Sequence, residues 1–262
     1  MTATTAPSNA APSTPAPHTE TRRARLRRLT KVAGWLYLAI FVVYPLATLV
    51  RSSLVVPGDA ATTAANIHDN ETLFRWGMAG EASIVLIEIV LAAVLYALLR
   101  PVSRSMSLAA SLARVAEAVV MAAGCLVTSI LSLVVVNAGG YAAAFDADQR
   151  NALVMVFQEA NDDIVLVWGF FFALSLLLTG WLVVRSGFLP RIPGLLLALA
   201  GAGYLLQSFG TFVAPGMTDV WATVVLVVAI PGELVFALWL LIKGVDEDAW
   251  SESAARAQRT QL

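Results

Sequence analysis

Charge is what this chain lacks first. Charged residues make up 13% of 262 residues, about half the share of an ordinary soluble domain. That scarcity excludes a disordered protein, a nucleic-acid-binding domain and a typical soluble enzyme. One cysteine, Cys125, excludes an internal disulfide and a multi-thiolate metal site. The two histidines, His18 and His68, are too few for a histidine-rich metal centre. No Ser–His–Asp set, zinc motif, phosphate loop or dinucleotide fingerprint stands in a convincing context. No cofactor is therefore indicated. An enzyme is the least favoured class, because paired carboxylates are the one element an intramembrane hydrolase could use. What is present is apolar: 58% hydrophobic residues and a mean hydropathy of +0.76.

A bilayer core of about 30 Å needs about 20 apolar residues in helix. Six stretches reach that length: 32–50, 76–99, 115–136, 164–184, 192–213 and 220–242. The spacing predicts an all-α polytopic membrane protein of six transmembrane helices. With the N-terminus inside, 14 of the 17 basic residues fall on the cytoplasmic side, and only Arg51, Arg75 and Arg150 fall outside. The positive-inside rule then puts both termini in the cytoplasm. The even-numbered spans close alike, on Tyr96–Arg100, Trp181–Arg185 and Trp239–Lys243. Each pairs a ring at headgroup depth with a snorkelling cation one turn later.

Residues 1–27 read as a Pro/Ala/Ser/Thr tail, disordered at first and ending in a basic juxtamembrane segment. Arg22, Arg23, Arg25, Arg27 and Arg28 suit both a topology signal and anionic lipid headgroups. Residues 28–245 form the membrane domain, and 246–262 a solvated, partly helical tail. Two outer loops are long. In 51–75, Pro57–Gly58 marks a turn and Asp59 can cap a short helix; in 137–163, Asp146 or Asp148 can cap an amphipathic stretch. There Leu153, Val154, Val156 and Phe157 would lie on the membrane interface. His68, a single imidazole beside Asp69 and Glu71, reads as solvated. Ala33-Gly34-x-x-Tyr37-Leu38 in span one is echoed by Ala200-Gly201-x-x-Tyr204-Leu205 in span five, each followed by a helix bearing Glu. A repeated hairpin and chance similarity both account for it.

Several segments, in order, carry a resemblance: VAGWLYL, RSSLVVPGDAATTAANI, ETLFRWG, LYALLRPVSR, VVRSGFLPRIPGLLLALAGAGYLLQSF and GELVFALWLLIKGV. Together they resemble an uncharacterised bacterial membrane family, domain of unknown function 4386, over roughly residues 25–245. The resemblance implies a bacterial plasma-membrane protein of about six helices and implies no activity. Some relatives carry a histidine near the start of span four. This chain has Asn161-Asp162-Asp163 there, so no role for that imidazole transfers.

The candidate site rests on acids inside the spans. A charge at mid-bilayer costs about 2.5–3.5 kcal/mol on insertion scales. Glu117 sits three residues beyond Arg114, so the two read as an ion pair at the cytoplasmic rim. Glu81 lies near the outer end of span two, within reach of Arg75 or Arg51. Glu88 is 12 residues from Arg100 and Glu233 is 10 from Lys243, which places both near the midplane, about 15–18 Å from the inner rim. No Lys or Arg is expected at that depth anywhere in the sequence. Glu81 and Glu88 share one helix face and form an acidic ladder. Pro231-Gly232, directly before Glu233, suggests a broken helix of the kind that builds transporter sites. Gln207 is a further polar lining candidate. Thr128, Ser129 and Ser132 read as bonded within their own helix. Gly194, Ala198 and Ala202 form a small-residue packing stripe.

Two functional readings remain open. In one, the protein is a proton- or small-molecule-responsive carrier or sensor, with Glu88 and Glu233 as its protonatable centre and Glu81 as outer access. In the other it is a structural or accessory membrane protein, and neutral glutamates act as hydrogen-bond glue between helices.

Overall fold

The computed structural model describes residues 17–259. The expected tail before residue 17 and the side chain of His18 lie outside the described residues. Helix α1 (Pro17–Leu54) begins ahead of the basic segment, so residues 17–27 belong to the first span's helix. It is followed by α2 (Ala60–Asp69), α3 (Glu71–Leu99), α4 (Arg104–Val120), α5 (Val127–Val136), α6 (Ala147–Ser186), α7 (Arg191–Val213), α8 (Thr218–Ile242) and α9 (Glu247–Arg259). Six helices among the described residues are long and apolar enough to cross a membrane. The third of them joins α4 and α5 through one π-helical stretch, Met121–Leu126.

Local chemistry sets the boundaries. Asp59 caps α2, accepting from the Thr62 amide (2.9 Å) and hydroxyl (2.7 Å). Those two donors hold its carboxyl below the usual aspartate range. Asp146 opens α6 with a capping box: its carboxylate accepts from the Gln149 amide at 2.8 Å, and Gln149 Oε1 accepts from the Asp146 amide at 3.1 Å. That helix then runs 40 residues without interruption to Gly187 (φ +72°). The stretch around Leu153 is therefore not a separate interfacial helix. Val154 is buried with Leu54, Ile67 and Phe74, because α2 packs down on it. Ser103 caps α4, which begins eleven residues before the span expected from hydropathy alone. Met106, Leu108 and Leu112 are already exposed as a lipid-facing side would be.

Backbones approach closely where side chains are small. A Cβ on Gly180 of α6 would lie 2.5 Å from the Gly194 carbonyl oxygen and 2.8 Å from the Ala198 amide of α7. The expected stripe is thus a helix–helix seam. Likewise a Cβ on Gly34 would lie 2.9 Å from the Leu241 amide, which fixes α1 against α8. Arg185 sits over the Trp181 ring at 5.6 Å, as the aromatic–basic pattern predicts. The last helix docks on the end of the bundle where the chain begins. Trp250 Nε1 donates to Leu98 O (2.8 Å), and Ser253 Oγ to Pro101 O (3.3 Å). Arg23 pairs with Asp248 and Arg27 with Glu247.

Candidate functional site

The third span begins at Arg104, so Arg114 lies ten residues inside it, about 15 Å along the helix. The same rise from Arg100 and Lys243 puts Glu88 and Glu233 in that layer. This corrects two expectations. A cation does occupy the depth of the acids, and Glu117 with Arg114 is not at the rim. Arg114 is 1% exposed and Glu117 0%. The error came from starting the span at residue 115, just past the arginine it needed to include.

Arg114 Nη1 donates to Glu88 Oε2, and Nη2 to the Tyr37 hydroxyl at 3.3 Å. Its guanidinium lies over the rings of Tyr37 (5.2 Å) and Phe172 (5.4 Å). A carboxylate, a hydroxyl and two ring faces offset its desolvation. Glu117 Oε1 is 3.8 Å from Nη1, yet neither Glu117 oxygen has a hydrogen-bond donor. On α8, Glu233 is 7% exposed and accepts from the Tyr204 hydroxyl at 3.2 Å. The layer thus holds three glutamates and one guanidinium. Arginine neutralises one acid; the other two need protons or a bound cation.

A cavity of about 290 Å³ opens on this layer. Glu88, Arg114, Glu233, Tyr204 and Gln207 supply its polar groups. Its wall is aromatic. Trp168 stacks on Phe172 (4.7 Å between centroids) and on Tyr44 (6.3 Å), and meets Tyr204 edge-on (5.8 Å). Glu88, Glu233 and Gln207 are therefore brought to one cavity. Glu81 is not: it lines a small separate crevice with Arg51 and Ser129, and its Oε2 has no partner. Its expected partners are engaged elsewhere, Arg51 with Asp162 (2.6 Å) and Arg75 with Glu71 (2.5 Å).

Pro231-Gly232 does not break its helix; α8 is continuous from Thr218 to Ile242. Gly232 serves close packing instead, since a Cβ there would lie 2.6 Å from Leu196 O. Proline still removes the bond to the Val227 carbonyl one turn back. Pro45, inside α1 and also lining the cavity, does the same to Phe41.

A second polar cluster lies on the π-helical turn. Asn161 Nδ2 donates to Cys125 O (3.2 Å) and to Thr128 Oγ1 (3.1 Å). Gln158 Nε2 donates to Ser132 Oγ (2.9 Å). The two hydroxyls do bond back to their own helix, as expected, and also accept across the interface. Hydropathy missed Arg114, Glu117, Tyr37, Tyr204, Trp168 and Phe172. One signal did point at two of them: Tyr37 and Tyr204 occupy matching places in the two Ala-Gly-x-x-Tyr-Leu echoes. Each echo packs its glycine against a neighbouring helix and aims its tyrosine at the acidic layer.

The family model for "Domain of unknown function (DUF4386)" matches residues 32–244. An uncharacterised protein of Archaeoglobus fulgidus is 30% identical over 174 residues, which cover 64% of this chain and 84% of that one. No solved structure matches. The chain belongs to the DUF4386 family.

Proposed function

We propose that this DUF4386 protein is a proton- or small-molecule-responsive membrane protein, a carrier or sensor, centred on Glu233. The observation that supports this reading is the imbalance of one arginine against three glutamates beside a cavity. Glu88 is committed to Arg114, and Glu117 is fully buried off the cavity lining. Glu233 has one neutral donor, Tyr204, and a free face on the cavity. It is the acid that can exchange a proton for a cation without dismantling the pair beside it. Gln207 is a lining hydrogen-bond partner. Glu81 keeps only the role of a separate acid nearer the long loops.

The positive-inside count still favours both termini in the cytoplasm of a bacterial plasma membrane, with 13 basic residues there once Arg114 is moved into the span. Arg25 and Arg28, exposed and outside the contacts with α9, are the groups we assign to anionic lipid.

The helix-glue reading has its own support, because Tyr204–Glu233 ties α7 to α8. Glu233→Gln separates the two. Gln keeps the acceptor oxygen for Tyr204 but carries no titratable proton. The fluorescence of Trp168, stacked on the cavity wall, should change between pH 5 and 9 in the parent protein in nanodiscs. A Trp168→Phe control identifies that signal. In Glu233→Gln the change should be lost. A variant that responds to pH as the parent does would leave glue as the better account.

A further inference from the structure

The cavity has an acidic floor, an aromatic wall and an open side. Helices α1 and α8 are locked together at Gly34, with Tyr37 edge-on to Phe236 (5.7 Å). Beyond that lock both helices line the cavity, α1 through Phe41 and Pro45, α8 through Leu226 and Ile230. Leu226 is 60% exposed and Ile230 39%. In a protein whose flanks face hydrocarbon, the mouth between them opens sideways into the bilayer. Pro45 of α1 lines the cavity here, and on α8 Pro231 directly follows the lining residue Ile230. The carbonyls these prolines leave unbonded within the helix are tolerated at membrane depth only beside protein or a cavity.

From this arrangement we infer that the cavity binds a lipophilic organic ammonium ion that enters laterally between α1 and α8. Resting on the reading of Glu233 as the exchangeable acid, the inference names what it exchanges its proton for. Two observations of different kinds support the cation. The side chain of Glu233 is almost wholly buried, and only one of its oxygens has a donor. The wall around it is built from Tyr44, Trp168 and Phe172, and aromatic rings attract alkylammonium groups, most strongly where water is excluded. An anionic ligand would meet the surplus Glu233 carboxyl, with the one guanidinium in the lining already paired to Glu88. A neutral one would leave the Glu233 charge or proton unused. The lateral mouth selects for an apolar body, because a hydrated ion has no route through lipid.

The test uses the full-length protein in zwitterionic phosphatidylcholine nanodiscs at pH 8. Tritiated 4-phenylbutyltrimethylammonium is the cation. Its uncharged carbon isostere, 5,5-dimethylhexylbenzene, and the anion 4-phenylbutane-1-sulfonate serve as competitors of matched length. The cation should bind saturably and at least tenfold tighter than either competitor, a comparison that needs no variant. Glu233→Gln should weaken it tenfold or more. Leu226→Trp, which narrows the mouth, should slow association severalfold. Equal displacement by the sulfonate or the isostere, or no saturable binding to the parent, overturns the ligand class. Unchanged association in Leu226→Trp overturns lateral entry. The pH response of the empty protein is a separate measurement. If it depends on Glu233 while the cation fails to bind, only this inference falls; if it is absent as well, the functional reading falls with it.

Discussion

Replacing Arg114 by methionine is the sharpest perturbation the structure offers. Methionine approximates the arginine stem and removes the one guanidinium in the layer. The loss is a hydrogen bond to Glu88, another to Tyr37, and two ring contacts. Removing one partner of a buried pair costs about 3–5 kcal/mol, mostly because the other charge is stranded. Glu88→Gln strands the arginine instead and should cost a similar amount. The double variant strands neither, because both charges of the pair are removed together. Its cost should fall well below the sum of the two singles, by about 2–3 kcal/mol of coupling. The assay is a double-mutant cycle on unfolding midpoints of purified protein in mild detergent. Additive singles, or an Arg114→Met variant within about 1 kcal/mol of the parent, would show that the pair does not carry the layer.

Two further outcomes follow from the packing and the caps. Gly180→Val places carbon against the Gly194 and Ala198 backbone, which has no flexible side chain to yield; unfolding in detergent should show a loss of about 1–3 kcal/mol, and an unaltered midpoint would contradict the α6–α7 seam. The Asp59 cap is complete above the ordinary aspartate value of 3.8 and is lost as pH falls below it, because its carboxyl is held low by the Thr62 donors. Amide exchange over residues 60–64 should therefore speed up on acidification, after correction for intrinsic rates. Asp59→Asn, which keeps an acceptor but does not titrate, should remove that dependence.

The six spans were legible because hydropathy integrates over about 20 residues and tolerates errors at the ends. The caps at Asp59 and Asp146 were legible because a cap is a local event. The site was legible only in part. Glu88 and Glu233 stood out by depth, measured from the basic residues that close their helices. Arg114 did not, because a window centred on apolar residues starts a span after an arginine. The small residues from Ala109 to Ala113 and the cap at Ser103 would have extended the span backwards. The π-helical turn has no sequence signature of comparable strength. The buried Cys125 carbonyl in it accepts from Asn161, some 36 residues away, and a partner at that separation is a product of tertiary packing. Pro231 was read as a break for a sound local reason, but in a bundle the neighbours hold a proline-containing helix together.

The discovery of a cation among the acids changes the functional argument without ending it. With no arginine, Glu88 and Glu233 would be equivalent candidates, each neutral by protonation. With it, they differ: both line the cavity, but Glu88 belongs to an ion pair and Glu233 accepts from the neutral Tyr204 hydroxyl. Cohesion alone does not account for the remaining acids. Each buried polar atom left without a partner costs about 1–3 kcal/mol, and Glu117 has two such oxygens. An apolar side chain at 117, or a glutamine at 233, would bind the helices together at lower cost. The layer therefore stores a deficit that a proton or a cation relieves. Whatever relieves it binds the folded bundle and not the unfolded chain, so occupancy and stability are linked. On the function proposed above, that linkage is what would let a helix-packing layer report on, or move, what enters the cavity.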